Sequence, residues 1–244
     1  MATRVMSASL TGEPGAPRAL QPPCYVIERL HLDDIPEVQV IERASFSSPW
    51  SAQAYEQDLS TNKLAHYIVL RQTNLAPAES RRAMSPPPAT ETPSSFMTRG
   101  VQRLLRGLRT PAQAPREPRP PIVGFAGTWM MVDEAHLVTI AVAPEHRGKG
   151  LGELLLIAMI DLACILGAGR MTLEVRVSNH VAQSLYLKYG FKNEGVRRRY
   201  YSDNGEDAMI MTTDVLTSPY YQAHYQELKR ALLSKISVSF NHLP

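Results

Sequence analysis

The chain has 244 residues, of which 44% are hydrophobic and 20% charged, and its formal net charge is +3. A chain of this length can bury one sizeable core, and no apolar run is long enough to cross a membrane as a helix, which excludes a helical membrane protein. Two cysteines, Cys24 and Cys164, are too few for a disulfide framework, and the N-terminus lacks the apolar stretch of a secretory signal. We therefore expect a reducing, cytoplasmic setting, and the small net charge indicates no particular class of partner.

The first part of the chain predicts a tail, two strands and two helices. Residues 1–23 mix Ser, Gly, Pro and Ala without a period, which is typical of a disordered tail. Strands are expected at 24–30 and 65–70. Between them, Pro36 presets the first turn of a helix with apolar residues at helical spacing, and Ser51 can cap a second, short helix.

Residues 73–121 interrupt this pattern. They hold ten of the nineteen prolines, and eight Arg against three Glu. We predict an insertion at a loop tip, largely disordered, because a structureless loop of this length is unusual inside a compact domain. Within it, residues 98–109 place leucines on one helical face and arginines on another, which predicts a short basic amphipathic helix. Two interpretations stay open: a solvated or loosely docked helix, or a helix that contacts ribosomal RNA or another anionic surface.

The regular pattern resumes after the insertion and runs to the end of the chain. A hairpin is expected at 122–142, followed by an apolar helix at 153–166, a strand at 170–177, a helix at 179–189 and a final pair of strands. This alternation predicts a mixed sheet with helices on both of its faces. Residues 217–244 predict a helical extension that packs on the domain or on a second copy.

A glycine-rich turn lies between the second strand of that hairpin and the apolar helix. Its sequence is Arg-Gly-Lys-Gly-Leu-Gly at 147–152. Lys149 is not followed by Ser or Thr, so the turn is not a P-loop, and Glu153 stands where a Rossmann fingerprint needs its third glycine. A glycine turn that opens a helix presents free backbone N–H groups at the positive end of the helix dipole. The turn therefore predicts a cradle for a pyrophosphate group.

This turn and several blocks around it resemble the ribosomal-protein-alanine N-acetyltransferase (RimI) family of the GCN5-related N-acetyltransferase (GNAT) superfamily. The matching blocks are IERASFSSPWS at 41–51, LEVRVSN at 173–179, SLYLKYGF at 184–191, RRRYY at 197–201 and EDAMIM at 206–211. The resemblance covers roughly residues 24–72 and 121–214. It implies the GNAT fold, an α/β (α+β) arrangement whose mixed central sheet has a V-shaped cofactor cleft between its two middle strands. It also implies acetyl-CoA as the co-substrate.

The resemblance assigns the catalytic roles to Glu174 as general base and Tyr186 as general acid. The residues by themselves predict less. Strand alternation predicts that Glu174 is an outward carboxylate paired with Arg176, and helical spacing predicts that Tyr186 is a partly buried core aromatic.

The family match also implies which residues hold the two substrates, and no cluster of His, Cys and Asp has the spacing of a metal site. The cofactor contacts would come from the strand before the turn, the turn itself and one helix cap: Ile140, Ala141, Val142, Arg147, Gly148, Lys149, Gly150, Leu151, Gly152, Glu153 and Asn179. Here the strand backbone pairs with the pantetheine, and the Val142 N–H is the oxyanion donor. The acceptor contacts would come from Trp50, Arg199, Tyr200 and Tyr201, for which edge-strand packing is the competing interpretation. Arg199 departs from the family, where a neutral residue is common.

The expected function is acetylation of a protein N-terminal α-amine, by family the N-terminal alanine of a small-subunit ribosomal protein, with no membrane partner. Two other classes stay open. One is an acetyltransferase acting on lysine side chains, broader N-termini or small amines. The other is a non-catalytic protein that binds acyl-CoA. The chain is expected to divide into a tail at 1–23, a GNAT domain at 24–216 interrupted by the insertion at 73–121, and the extension at 217–244.

Overall fold

A single mixed sheet organises the computed structural model, which describes residues 23–73 and 119–241. In these ranges the sheet has eight strands in the order β6-β7-β5-β4-β3-β2-β1-β8. Only the pairs β4–β5 and β1–β8 are parallel. The strands are β1 (Cys24–Arg29), β2 (Ala65–Thr73), β3 (Ile122–Met131), β4 (Glu134–Val142), β5 (Arg170–Arg176), β6 (Phe191–Tyr201), β7 (Glu206–Thr213) and β8 (Ser237–Phe240).

Helices cover both faces of the sheet, and this confirms the fold class expected from the sequence. They are α1 (Ile35–Ser45), α2 (Ala52–Thr61), α3 (Leu151–Ile165), α4 (His180–Lys188) and α5 (Pro219–Leu233). One buried apolar cluster includes residues of α1 and α2, and a larger one includes residues of α3, α4 and α5. As expected, the Ser51 side chain caps α2 by accepting from a backbone N–H. In the described ranges, no helix combines the length and apolarity that spanning a bilayer requires.

The two middle strands, β4 and β5, separate part of the way along the sheet. Their pairing runs from Glu134 opposite Arg170 to Leu137 opposite Leu173 and then stops, although both strands continue. The register of β3 against β4 shifts at the same level, which leaves Val138 as the extra residue of a β-bulge. The bulge bends β4 away from β5, and the gap that results is the V-shaped cleft expected from the sequence.

The C-terminal part of the chain differs from the prediction that it is only helical. The predicted helix is present as α5 and packs on α3, where the Tyr225 hydroxyl donates to the Ile157 carbonyl at 3.1 Å and to Asp161 at 2.7 Å. After it, however, β8 pairs in parallel with β1 at the edge of the sheet. The four residues of β8 alternate Ser with apolar side chains, but a run of four is too short to identify a strand. Sequence reasoning therefore missed β8.

The predicted tail, most of the predicted insertion and its amphipathic helix at 98–109 lie outside the described residues, but the base of the insertion is well defined. Arg71 is fully buried at the end of β2. It donates to Glu28 at 2.6 Å, to Asp34 at 2.6 Å and to the Pro120 carbonyl at 2.7 Å. A buried guanidinium needs such partners, since an unpaired charge in the interior costs several kcal/mol. This cluster holds together the two points where residues 74–118 leave and rejoin the sheet.

We propose that residues 74–118 are a true insertion, and replacing them with a four-residue Gly/Asn linker tests this. The ends lie close enough for a tight hairpin, because Arg71 pairs with Ile122 and the Gln72 N–H donates to the Pro121 carbonyl at 3.0 Å. Shortening a surface loop changes the closure entropy by only about 0.6 kcal/mol per halving. Replacing 45 residues by four is about three and a half halvings, or about 2 kcal/mol, so we expect a cooperative thermal transition within about 8 °C of the full chain. Loss of cooperative unfolding would show that the segment belongs to the core.

Candidate active site

The glycine-rich turn forms an open anion site at the start of α3. Gly148 and Gly150 have φ angles of +73° and +78°, a region that glycine enters without steric cost. Gly150 is the N-terminal cap, so the backbone N–H groups of the following turn have no helical partners. A Cβ atom built at Gly148 would meet nothing within 4 Å, so a diphosphate has room to approach. The turn therefore fits the pyrophosphate group that the sequence predicts there.

The two cations of the turn are hydrogen-bonded to the protein. The Arg147 Nε donates to the Val142 carbonyl at 3.0 Å, and its Nη2 donates to the Ser45 hydroxyl at 3.0 Å. The Lys149 Nζ donates to the Glu145 carbonyl at 3.0 Å. These bonds hold both positive charges beside the turn and tie it to the end of α1.

The acidic residue of the turn faces a different set of partners. The Glu153 carboxylate accepts from the Lys188 ammonium at 2.5 Å and from the Tyr189 hydroxyl at 2.6 Å. Its negative charge is thus compensated from α4, and only its backbone N–H is suited to contact an anion. Leu151 is buried in the core, and a Cβ atom at Gly152 would lie 3.9 Å from the Val142 side chain.

The last residues of β4 line the gap between the middle strands. Ala141 and Val142 are buried and Ile140 is half-buried. Within the described residues, β4 beyond Leu137 has no strand partner on its β5 side. An extended ligand can therefore pair with this exposed edge through backbone hydrogen bonds, as the sequence-based prediction requires.

Glu174 lies where β5 starts to diverge, and it has two cationic or hydrogen-bonding partners. The carboxylate is 2.6 Å from the His136 Nε2 and 3.2 Å from the Arg197 Nη2. The hydrogen bond with His136 holds the pKa of Glu174 below its ordinary value; burial opposes this shift, and the Arg197 charge adds to it. An ionised carboxylate only accepts hydrogen bonds, so the hydrogen of this bond lies on the His136 Nε2.

The pairing of Glu174 with Arg176 that strand alternation predicts is wrong. The Arg176 guanidinium is bound by Asp203 at 2.9 Å and Glu206 at 3.0 Å instead. Both carboxylates lie on the turn between β6 and β7 or just after it. This turn folds over the end of β5, and a pattern read along one strand carries no information about it.

Sequence reasoning missed His136. It stands opposite Thr172 in the parallel pair of β4 and β5, and its ring reaches Glu174. A histidine in an otherwise apolar strand is a signal of a polar partner, but the register between two distant strands cannot be read from the sequence.

Tyr186 is 6% exposed, and its ring centroid is 5.6 Å from that of Phe191. Burial raises the pKa of its hydroxyl, and the neighbouring Tyr201 raises it further. Its hydroxyl makes no hydrogen bond to another residue of the described ranges. Tyr186 is therefore both a core aromatic and a neutral hydroxyl able to donate its proton, so the two interpretations of this residue are compatible.

We expect Tyr186→Phe to lower kcat by about tenfold, less than the full range for general acids, because a thiolate of pKa about 8.5 leaves with little help. Thiol release with an N-terminal peptide measures the effect. Tyr220→Phe, which alters a tyrosine 83% exposed on α5, is the control. An unchanged rate would remove Tyr186 from the reaction.

The predicted acceptor residues fall into two groups. Tyr200 and Tyr201 pack edge to face with centroids 5.2 Å apart, and the Tyr201 hydroxyl is 3.5 Å from the Glu174 carbonyl. Burial raises the pKa of Tyr201 to about 12, so it stays a neutral donor. Arg199 is exposed, with φ +50° and its N–H donating to Asp207 at 2.8 Å. These three residues lie on the arm of β6 that faces Glu174.

Trp50 belongs to the other group. Its ring is 5.8 Å from that of Tyr55 and 6.0 Å from that of Trp129, in the aromatic cluster under α1 and α2. The backbone N–H of Trp50 donates to the Glu42 carboxylate at 2.9 Å. The structure thus shows a packing role for Trp50, and its contact with an acceptor stays a prediction.

Asn179 caps α4 as predicted, since its side chain accepts from the Ala182 N–H at 3.1 Å. A role in holding the cofactor stays a prediction for this residue too.

Comparison with known proteins places this site in a family. A model of the acetyltransferase (GNAT) family matches residues 86–191. A Bacillus subtilis (strain 168) protein, provisionally named a ribosomal protein bS18-alanine N-acetyltransferase, is 33% identical over 185 residues, which cover 76% of this chain and 92% of that protein. The Escherichia coli (strain K12) ribosomal protein bS18-alanine N-acetyltransferase is 42% identical over 96 residues, 38% of this chain and 65% of that protein.

The fold is similar to that of a solved relative. The crystal structure of the ribosomal-protein-S18-alanine N-acetyltransferase from Escherichia coli superposes with a TM-score of 0.54 at 26% identity, covering 80% of this chain and 96% of that one.

Proposed function

Because this chain belongs to the RimI family of the GNAT superfamily, and is therefore an acyltransferase, we propose that it moves an acetyl group from acetyl-CoA to the α-amine of a protein N-terminus. One arrangement supports this proposal most directly. The glycine turn follows β4 beyond the gap between β4 and β5, and the Glu174–His136 pair joins β5 to β4 where the gap begins. A phosphorylated thioester held in the gap and an amine entering beside Glu174 would meet there.

Acetyl-CoA supplies the activated acyl group, and the residues of the chain bind it and place its thioester. The backbone amides of the turn from Arg147 to Glu153 would hold its diphosphate. The exposed edge of β4 would pair with its extended arm, and the Val142 N–H would stabilise the charge that develops on the carbonyl oxygen.

The Glu174–His136 pair would remove the proton of the attacking amine. An α-amine has a pKa of roughly 7.7–8.0, so about one in ten molecules is already neutral at pH 7 and the rest hold their proton weakly. A carboxylate with a lowered pKa keeps a proton poorly, so Glu174 would release it to water, and the hydrogen bond from the His136 Nε2 would hold the carboxylate in place. Tyr186 would then protonate the departing thiolate.

The names of the relatives support a particular acceptor. We propose the N-terminal alanine of a small-subunit ribosomal protein, and such an acceptor implies a reaction in the cytoplasm. Incubation of the purified protein with acetyl-CoA and ribosomal proteins, followed by mass measurement of intact proteins and N-terminal peptides, tests this. A 42-Da gain on an N-terminal peptide is expected. Gain only on lysine side chains would replace the proposed acceptor, and CoA binding without transfer to any amine would indicate a binding protein.

A further inference from the structure

Arg176 connects two segments that are far apart in the sequence. Its Nη2 is 3.1 Å from the Ser47 hydroxyl, in the segment between α1 and α2, and 2.9 Å from both carboxylate oxygens of Asp203, in the turn between β6 and β7. The Ser47 hydroxyl also donates to Asp203 directly. The three side chains form a closed bridge between these two segments.

The same guanidinium also orients Tyr201. Its central carbon lies 3.8 Å from the centroid of the Tyr201 ring, and the Tyr201 hydroxyl points to the Glu174 carbonyl. A planar cation against an aromatic face adds an electrostatic attraction that a flexible ammonium does not reproduce in the same geometry. One residue therefore fixes both the bridge and a wall of the proposed acceptor site.

The carboxylates that bind Arg176 are both ionised, and they outnumber its single positive charge. Hydrogen bonds with Ser178 and Arg176 lower the pKa of Glu206 to about 2, and those with Ser47 and Arg176 lower the pKa of Asp203. Two ionised carboxylates thus face one guanidinium, which stays charged at any physiological pH.

The other end of the α1–α2 segment is held separately. Ser45 is bound by Arg147 of the glycine turn, on the cofactor side of the cleft. The segment between α1 and α2 is thus attached to the cofactor side of the cleft by Arg147 and to the acceptor side by Arg176.

We propose that Arg176 is a positioning residue for the acceptor: it keeps the Ser47 segment, the Asp203 turn and the Tyr201 ring in the arrangement that an N-terminal peptide needs. This inference rests on the proposed function. Because Arg147 fixes the cofactor side independently, loss of Arg176 should weaken the acceptor step and spare the cofactor step.

Steady-state kinetics of Arg176→Gln, Arg176→Lys and Ser47→Ala test the proposal. For Arg176→Gln we expect the KM for the peptide to rise about tenfold, since two ion pairs and a cation–π contact are lost. The KM for acetyl-CoA should stay within about twofold and kcat within about threefold of the wild type. Arg176→Lys should be intermediate, because lysine keeps the charge without the planar fork. Lys192→Gln, which breaks an exposed ion pair with Asp214, is the matched control.

Equal rises in both KM values, or no change in the peptide KM, would overturn the proposal. If Arg176→Gln does not fold, Ser47→Ala carries the test, with an expected rise of about threefold in the peptide KM alone. Amide hydrogen exchange gives a second readout that does not need turnover. In Arg176→Gln the exchange of residues 46–50 and 202–205 should accelerate together while α3 keeps its protection, and unchanged exchange in both loops would also overturn the proposal. A wild-type protein that acetylates no N-terminal peptide would contradict the proposed function, whereas the exchange result would still report on the bridge.

Discussion

Glu174→Gln should lower kcat/KM for an N-terminal peptide by about 10²–10³-fold, the range for a lost general base. Glutamine keeps the shape of the side chain and can still face His136 and Arg197, but it cannot hold a negative charge or take a proton. CoA affinity, measured by calorimetric titration, should not change, because no contact of Glu174 involves the glycine turn. Glu194→Gln, which alters an exposed carboxylate on β6, is the control.

The pH dependence of the wild type gives a second check on Glu174. Its lowered pKa keeps the carboxylate ionised from the weakly acidic range upward, so its own titration should not limit the rate near neutrality. The rate should instead rise with pH as the amine loses its proton, with a midpoint of roughly 7.7–8.0. A variant that kept more than a third of wild-type activity, or a profile independent of pH between 6 and 8, would contradict the proposed role.

The second large effect is expected for Gly148→Asp, which should raise the KM for acetyl-CoA by about 100-fold. A carboxylate about 4 Å from a phosphate is repelled by about 4 kcal/mol at an effective dielectric constant of 20, and solvent reduces this value at an exposed turn. Gly167→Asp at the other end of α3 is the matched control, because Gly167 also has a positive φ, +84°, and a Cβ atom added there would also meet nothing within 4 Å. Both variants place an aspartate at a positive φ at one end of α3, but only Gly148 lies at the anion site.

Titration of both variants with CoA decides this prediction. Similar losses of affinity in Gly148→Asp and Gly167→Asp would mean that strain in α3, rather than charge at the turn, weakens binding. Wild-type affinity in Gly148→Asp would show that the diphosphate lies elsewhere.

The features that the sequence predicted correctly depend on residues that lie close together in the chain. The glycine turn follows a strand and opens an apolar helix, so strand, turn and helix are identified within about thirty residues of the chain. The caps at Ser51 and Asn179 depend on backbone N–H groups only three residues away, and both are present. The V-shaped gap was expected only from the family, because a bulge leaves no pattern of its own in the sequence.

The features that the sequence did not predict depend on contacts between segments that are far apart in the chain. His136 and Arg197 come from two strands on either side of Glu174 in the chain, and only the sheet brings them to one carboxylate. Arg176 appeared to be a partner for Glu174 because both lie on one face of β5, but a turn almost thirty residues later supplies the stronger partners. β8 was missed because the strand with which it pairs in the described ranges is β1, at the other end of the chain.

The packing of Trp50 against Trp129 has a practical consequence. The chain has two tryptophans, and their ring centroids lie 6.0 Å apart, so the intrinsic fluorescence of the protein comes from one place. Trp50 is three residues from Ser47, in the segment that the Arg176 bridge attaches to the rest of the site. The unlabelled protein therefore carries its own optical probe of that segment, and emission spectra can follow its movement in real time.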